Sequence, residues 1–130
     1  MDTEKKKILI VDDEVAFTQM VRLNLEGTGK YKVRVENKGT YAVSIVKEFK
    51  PDLILLDIII PDVAGSEIAA QLKEDESTKH IPVVFLTALV TKKEERADGN
   101  SCRIVGGNTF VAKPVNLKDL ISCIDLTLGA

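Results

Sequence analysis

The chain alternates between two hydrophobic periods. Short apolar or β-branched runs recur at KILIV (7–11), KVRVE (32–36), LILLD (53–57), PVVFLT (82–87) and TFVAK (109–113). Runs one, three and four are apolar throughout, as central strands covered on both faces should be. Lys32, Arg34 and Glu36 alternate through run two and mark it as an edge. Between the runs, apolar residues return at helical spacing. Phe17, Met20, Val21 and Leu25 form one stripe, closed by Gly27 and Gly29; Tyr41, Ala42, Ile45, Val46 and Phe49 form another before Pro51. Ile68, Ala69 and Leu72 follow Gly65 and Ser66. A last stripe, Leu117, Leu120, Ile121, Ile124 and Leu128, opens at Asn116, the predicted N-cap. Strand and helix in alternation predict parallel strands joined by right-handed crossovers, with helices on both faces. The segment 90–107 breaks the pattern: TKKEERADGNSCRIVGG is polar, holds three glycines and has no clean stripe.

In such sheets a site forms at the carboxyl ends of the strands. Run one ends in Asp12 and Asp13, run three in Asp57, run four in Thr87, and run five in Lys113, followed by Pro114. Asp57 sits inside LILLDIIIPD, where a carboxylate is costly unless something compensates it. A shared polar rim supplies the compensation. Three carboxylates and one ammonium leave two negative charges, which a divalent cation would neutralise. All-oxygen ligands favour Mg²⁺, with Mn²⁺ as the alternative. A carboxylate beside a hard cation, an ammonium and a hydroxyl is equipped to attack phosphorus while its neighbours hold the equatorial oxygens. Singly, each residue has a plainer reading. Asp57 could be a turn residue, Asp13 a helix cap, Thr87 an ordinary strand residue and Lys113 a solvated end; His80, in STKHIPV, reads as a surface residue. The joint order DD, D, T, K on successive strand ends carries the case.

Composition narrows the classes. One domain spans 1–130, with 45% hydrophobic and 29% charged residues. A net charge of −2 gives no electrostatic case for nucleic acid or a membrane surface. No apolar run approaches a transmembrane length, and Ile8–Val11 is too short for a signal peptide, so the expected location is cytoplasmic. Cys102 and Cys123 lack metal-ligand spacing and are expected to be free thiols.

From ILIVDDE through LILLDIIIPDVAGSEI and VVFLTA to FVAKP, the chain closely resembles the receiver domain of two-component response regulators. The resemblance implies a flavodoxin-like, doubly wound α/β fold with five parallel strands in the order 2-1-3-4-5. It implies Asp57 as phosphoacceptor, Mg²⁺ held by Asp12, Asp13, Asp57 and the backbone carbonyl of Ile59, and Thr87 and Lys113 on the phosphoryl group. It further implies a cis Lys113–Pro114 bond, Phe110 as the switch aromatic, and a phosphohistidine donor on a histidine kinase or histidine phosphotransfer protein. The protein would catalyse its own phosphoryl transfer and a slow autodephosphorylation without being a conventional turnover enzyme. Ile59 and Leu89, two residues beyond Asp57 and Thr87, cannot orient a hydrolytic water, so a long-lived phosphoryl group is expected. The polar 90–107 segment departs from the family's regular fourth helix. That helix, the fifth strand and the fifth helix form the family's signalling and dimer face, where an effector or a second copy would bind. No DNA-binding domain follows residue 130, which fits a single-domain regulator or a domain of a longer protein.

Three other readings compete. A Mg²⁺-dependent aspartyl-phosphate phosphatase of haloacid-dehalogenase type needs an acid two residues after its nucleophile, where this chain has Ile59. A flavodoxin-like cofactor binder wants a hydroxyl- and glycine-rich loop after strand one, where VDDEVA presents three acids. A degenerate receiver, acting as a phosphorylation-independent interaction module, is opposed by the complete residue set.

Overall fold

The computed structural model describes residues 5–87, 102–105, 108–113 and 116–129. Its order is β1 (Lys6–Val11), α1 (Val15–Gly27), β2 (Tyr31–Glu36), a 3₁₀ turn (Gly39–Tyr41), α2 (Ala42–Phe49), β3 (Leu53–Asp57), α3 (Gly65–Glu74), β4 (Val83–Thr87), β5 (Cys102–Val105), β6 (Asn108–Ala112) and α4 (Leu117–Leu128). The sheet runs β2-β1-β3-β4-β6-β5. Its five parallel strands follow the expected 2-1-3-4-5 order, each within a residue of its predicted run.

A sixth, antiparallel strand extends the five expected parallel ones. β5 pairs antiparallel with β6, Cys102 opposite Val111 and Val105 opposite Asn108. Its sequence, CRIV, carries just two β-branched residues and no alternating stripe. Hairpin pairing with β6, rather than its own pattern, makes it a strand. The hairpin also bears on the cysteines. Cys123, buried on α4, is disulfide-bonded and not the free thiol expected. Cys102 is the chain's other cysteine, and its strand lies on the sheet edge against which α4 packs.

Alternation along each strand divides the core in two. Ile8, Ile10, Leu53, Leu55, Val84, Leu86 and Val111 pack under α1 and α4; Leu9, Val11, Ile54, Leu56 and Phe85 pack under α2 and α3. On α1 the buried positions are Thr18, Val21 and Leu25. Met20, placed on the stripe by spacing, is instead 37% exposed. Thr18 takes the inner position because its hydroxyl is satisfied, donating to the Val15 carbonyl at 2.9 Å and accepting from Asn37 at 3.1 Å. Asn116 caps α4 as predicted, its side chain accepting from the Asp119 amide at 3.2 Å. At the far end of α4, Asp125 accepts from the buried Tyr31 hydroxyl and pairs with Lys30, fastening that helix to the start of β2. His80 is exposed. Among the described residues no helix is long and apolar enough to cross a membrane.

Candidate functional site

Period-two alternation explains why the site assembles. Asp57 follows Leu53 and Leu55 on the face of β3 that looks toward α1 and α4, and Lys113 follows Val111 on the same face of the sheet. Asp12 continues the corresponding face of β1 beyond Ile8 and Ile10. Asp12 is fully buried, while Asp57 is 6% and Thr87 3% exposed; Asp13 lies open to solvent. Asp13, Asp57, Thr87 and Lys113 line one cleft of about 570 Å³, together with Glu14, Phe17 and Ile59.

The Lys113 ammonium is the hub. It donates to Glu14 Oε1 at 2.7 Å and to Asp57 Oδ2 at 3.3 Å, and lies 2.9 Å from Asp12 Oδ2. Its Nζ also stands 4.8 Å from the centre of the Phe17 ring. Burial alone would lower the lysine's pKa, but pairing with Glu14 and Asp12 outweighs it and raises the value, so the group stays charged. Burial pushes the Asp12 carboxyl up, against the lowering effect of the Glu14 amide, which donates to Oδ1 at 2.9 Å, and of Lys113.

Backbone contacts hold the carboxylates in place. Asp57 Oδ1 accepts from the Ile59 amide at 3.1 Å, and Ile58 N donates to Leu86 O at 3.1 Å. Gly65 N donates back to Ile58 O at 2.8 Å. A Cβ on Gly65 would stand 2.1 Å from the Asp57 carbonyl oxygen, so α3 reaches this close to the Asp57 backbone only through a glycine. Asn37 donates to the Asp12 carbonyl at 2.8 Å, and Lys113 N to Thr87 O at 2.9 Å. Asp62 accepts from the Gly39 and Thr40 amides and the Thr40 hydroxyl, tying the loop after β3 to the 3₁₀ turn. These hydrogen bonds, led by the Thr40 amide, hold its carboxyl down at about 2.

The structure thus brings Asp12, Asp13, Asp57, Thr87, Lys113 and Ile59 to one rim. Phe110 lies outside the cleft lining, half-buried on the face of Phe85, and the two rings stack with centroids 5.4 Å apart. Pro114, and with it the geometry of the Lys113–Pro114 bond, lies outside the described residues, as does Leu89. Strand-end reasoning missed Glu14, which lies 99 positions from its lysine, and Gly65, noted only as the opening of a helix. The adjoining third acid in VDDEVA was the signal for Glu14.

One oxygen from each of Asp12, Asp13 and Asp57 lies within 4.8 Å of the others, so the three can converge on one ion. Asp12 Oδ2 is buried, with the Lys113 ammonium 2.9 Å away. An all-oxygen trio containing a buried carboxylate oxygen suits a hard divalent ion.

A three-layer α/β sheet with acids, a hydroxyl and a lysine on its carboxyl rim defines a class of phosphoryl-handling proteins, and comparison with known proteins agrees. The chain belongs to the response regulator receiver domain family, whose model matches residues 8–125. It is 34% identical over 125 residues to the polar-differentiation response regulator DivK of Brucella anthropi, covering 95% of this chain and 97% of that protein. Among solved structures, the chemotaxis response regulator CheY4 of Vibrio cholerae superposes with a TM-score of 0.76 at 25% identity, over 95% of this chain and 98% of that one. The non-phosphorylated HemR receiver domain of Leptospira biflexa gives 0.73 at 25% identity, over 97% and 96%. Phosphorylation-dependent signalling is the general function of this family, exercised with histidine kinases or phosphotransfer proteins and downstream effectors. Its members generally bind Mg²⁺ at an acidic pocket, and Asp12, Asp13 and Asp57 form such a cluster here.

Proposed function

We propose that this chain is a cytoplasmic phosphorylation switch in which Asp57 accepts a phosphoryl group from a phosphohistidine. The observation that carries the reading is the Lys113 ammonium bridging Asp57 and Asp12 beside Asp13 and Thr87 in one open cleft. An Asp57 carboxylate oxygen attacks phosphorus as the phosphorus–nitrogen bond breaks, and the freed imidazole takes up a proton. Lys113 and the Thr87 hydroxyl hold the transferring group's oxygens. Asp12, Asp13, Asp57 and the Ile59 backbone carbonyl would hold Mg²⁺, which when bound would supply positive charge against the carboxylates and the transferring group.

The donor docks over α1. Val15 and Leu23, eight residues apart on one side of that helix, are 56% and 63% exposed, and Ile59 beside the cleft is 62% exposed. Apolar groups in the open beside a charged cleft suit a helical partner that must exclude water from the transfer.

Output runs through Thr87 and Phe110. Both side chains project to the same face of the sheet, Phe110 opposite Phe85 and diagonal to Thr87. A phosphoryl group draws the Thr87 hydroxyl toward it and opens room for Phe110 to turn inward, changing the surface of β6 and α4 on which an effector or a second copy binds.

The reading is tested by incubating the chain with Mg²⁺ and acetyl phosphate and weighing it intact. A gain of one phosphoryl group, absent in Asp57→Asn, is expected. No gain with the native chain would favour the phosphorylation-independent module.

A further inference from the structure

Glu14 holds the shortest contact to Lys113, 2.7 Å against 2.9 Å for Asp12 and 3.3 Å for Asp57. Its backbone has structural duties: the amide donates to Asp12 Oδ1 and the carbonyl accepts from Thr18 N, opening α1. Its side chain makes no capping hydrogen bond. An ammonium has three protons, and here it faces three carboxylates. A phosphoryl group on Asp57 adds a more highly charged claimant, so one carboxylate has to yield. Asp12 is fully buried and cannot swing away, and Asp57 carries the new group. The Glu14 side chain is 59% exposed and can turn into solvent. The Phe17 ring, 4.8 Å from Nζ, keeps the ammonium at the rim during the exchange.

We propose that Glu14 is a positioning residue: it competes with the phosphoryl group for the Lys113 ammonium, restrains phosphorylation of Asp57, and lets go once the group is in place. The inference rests on Asp57 being the phosphoacceptor. Four carboxylates and one ammonium make the resting rim more negative than the strand ends alone suggest, and Glu14 is the member whose removal leaves the other contacts standing.

The test compares the full chain with Glu14→Gln. At saturating Mg²⁺, intact mass spectrometry should show acetyl phosphate modifying Glu14→Gln about two- to fivefold faster than the native chain, the range of a partly exposed ion pair. The Lys113 side-chain NMR resonance, assigned by its loss in Lys113→Arg, supplies a readout that a change in overall field would not mimic. It should shift between native and Glu14→Gln before phosphorylation and coincide in the two afterwards. Equal rates, or a resonance that still differs after phosphorylation, would overturn the proposal while leaving Asp57 as acceptor. Failure of the native chain to take up phosphate would overturn the acceptor reading and the proposal with it.

Discussion

Replacing Gly65 by alanine adds one methyl group at the point where α3 meets β3, the strand that ends in Asp57. That carbon would stand 2.1 Å from the Asp57 carbonyl oxygen and 2.9 Å from the Ile58 Cα. Ordinary contact needs roughly 3.4 Å or more, and both obstacles are backbone, so β3 and α3 must separate by about 1 Å. Overpacking of this kind costs about 1–3 kcal/mol. For a chain of 130 residues, that lowers the melting temperature by about 3–15 °C. The functional loss should be larger, because the displaced segment carries Asp57. A misplacement of about 1 Å can slow a positioned reaction by about 10²-fold. Gly27→Ala is the control: its Cβ would meet nothing within 4 Å, and at the end of α1 it should leave stability unchanged or slightly raised. Both variants are read by thermal melting and by the rate of modification with acetyl phosphate. Should Gly65→Ala melt with the native chain and react at the native rate, the close approach would not be what sets Asp57 in place.

Three further outcomes follow. Mg²⁺ at ten to a hundred times its Kd should stabilise the fold by about 1.4–2.7 kcal/mol in thermal melts, and Asp13→Ala should abolish the increment; identical curves with and without Mg²⁺ would count against the metal site. The Asp62 carboxyl is held at about 2, below its ordinary 3.8, so its stabilisation is complete above about pH 4 and disappears as pH falls toward 2. Asp62→Asn should flatten that acid limb in denaturant titrations, and an unchanged pH profile would remove the loop tie from the account. Ile59→Asn with Leu89→Glu should shorten the phosphoryl lifetime by roughly tenfold or more, followed by mass spectrometry of purified phosphoprotein. A native lifetime of seconds, or no effect of the pair, would refute the water-orientation argument.

The parallel framework was legible because both periodicities are strong: LILLD and VVFLT read as covered strands, and KVRVE suits an edge. The rim followed from the same reading, since a parallel sheet brings all carboxyl strand ends to one side. What escaped depends on contacts that no local pattern encodes. β5 exists through its hairpin with β6, and the state of Cys123 belongs to that same unanticipated geometry. Thr18 displaced Met20 from the inner face because Asn37, nineteen residues on, satisfies its hydroxyl. The reach of Glu14 to Lys113 spans nearly the whole chain. Gly65 announced a helix start, while its closeness to Asp57 is a tertiary fact.

The central claim is that Asp57 becomes an acyl phosphate, and chemistry can read it at a single residue. Borohydride reduces an acyl phosphate to the alcohol and spares free carboxylates. After treatment with Mg²⁺ and acetyl phosphate, reduction and proteolysis, the peptide containing Leu53–Asp62 should carry homoserine at position 57. Asp12 and Asp13 should be unmodified. Homoserine at another aspartate, or none in a chain that has gained phosphate, would contradict the account.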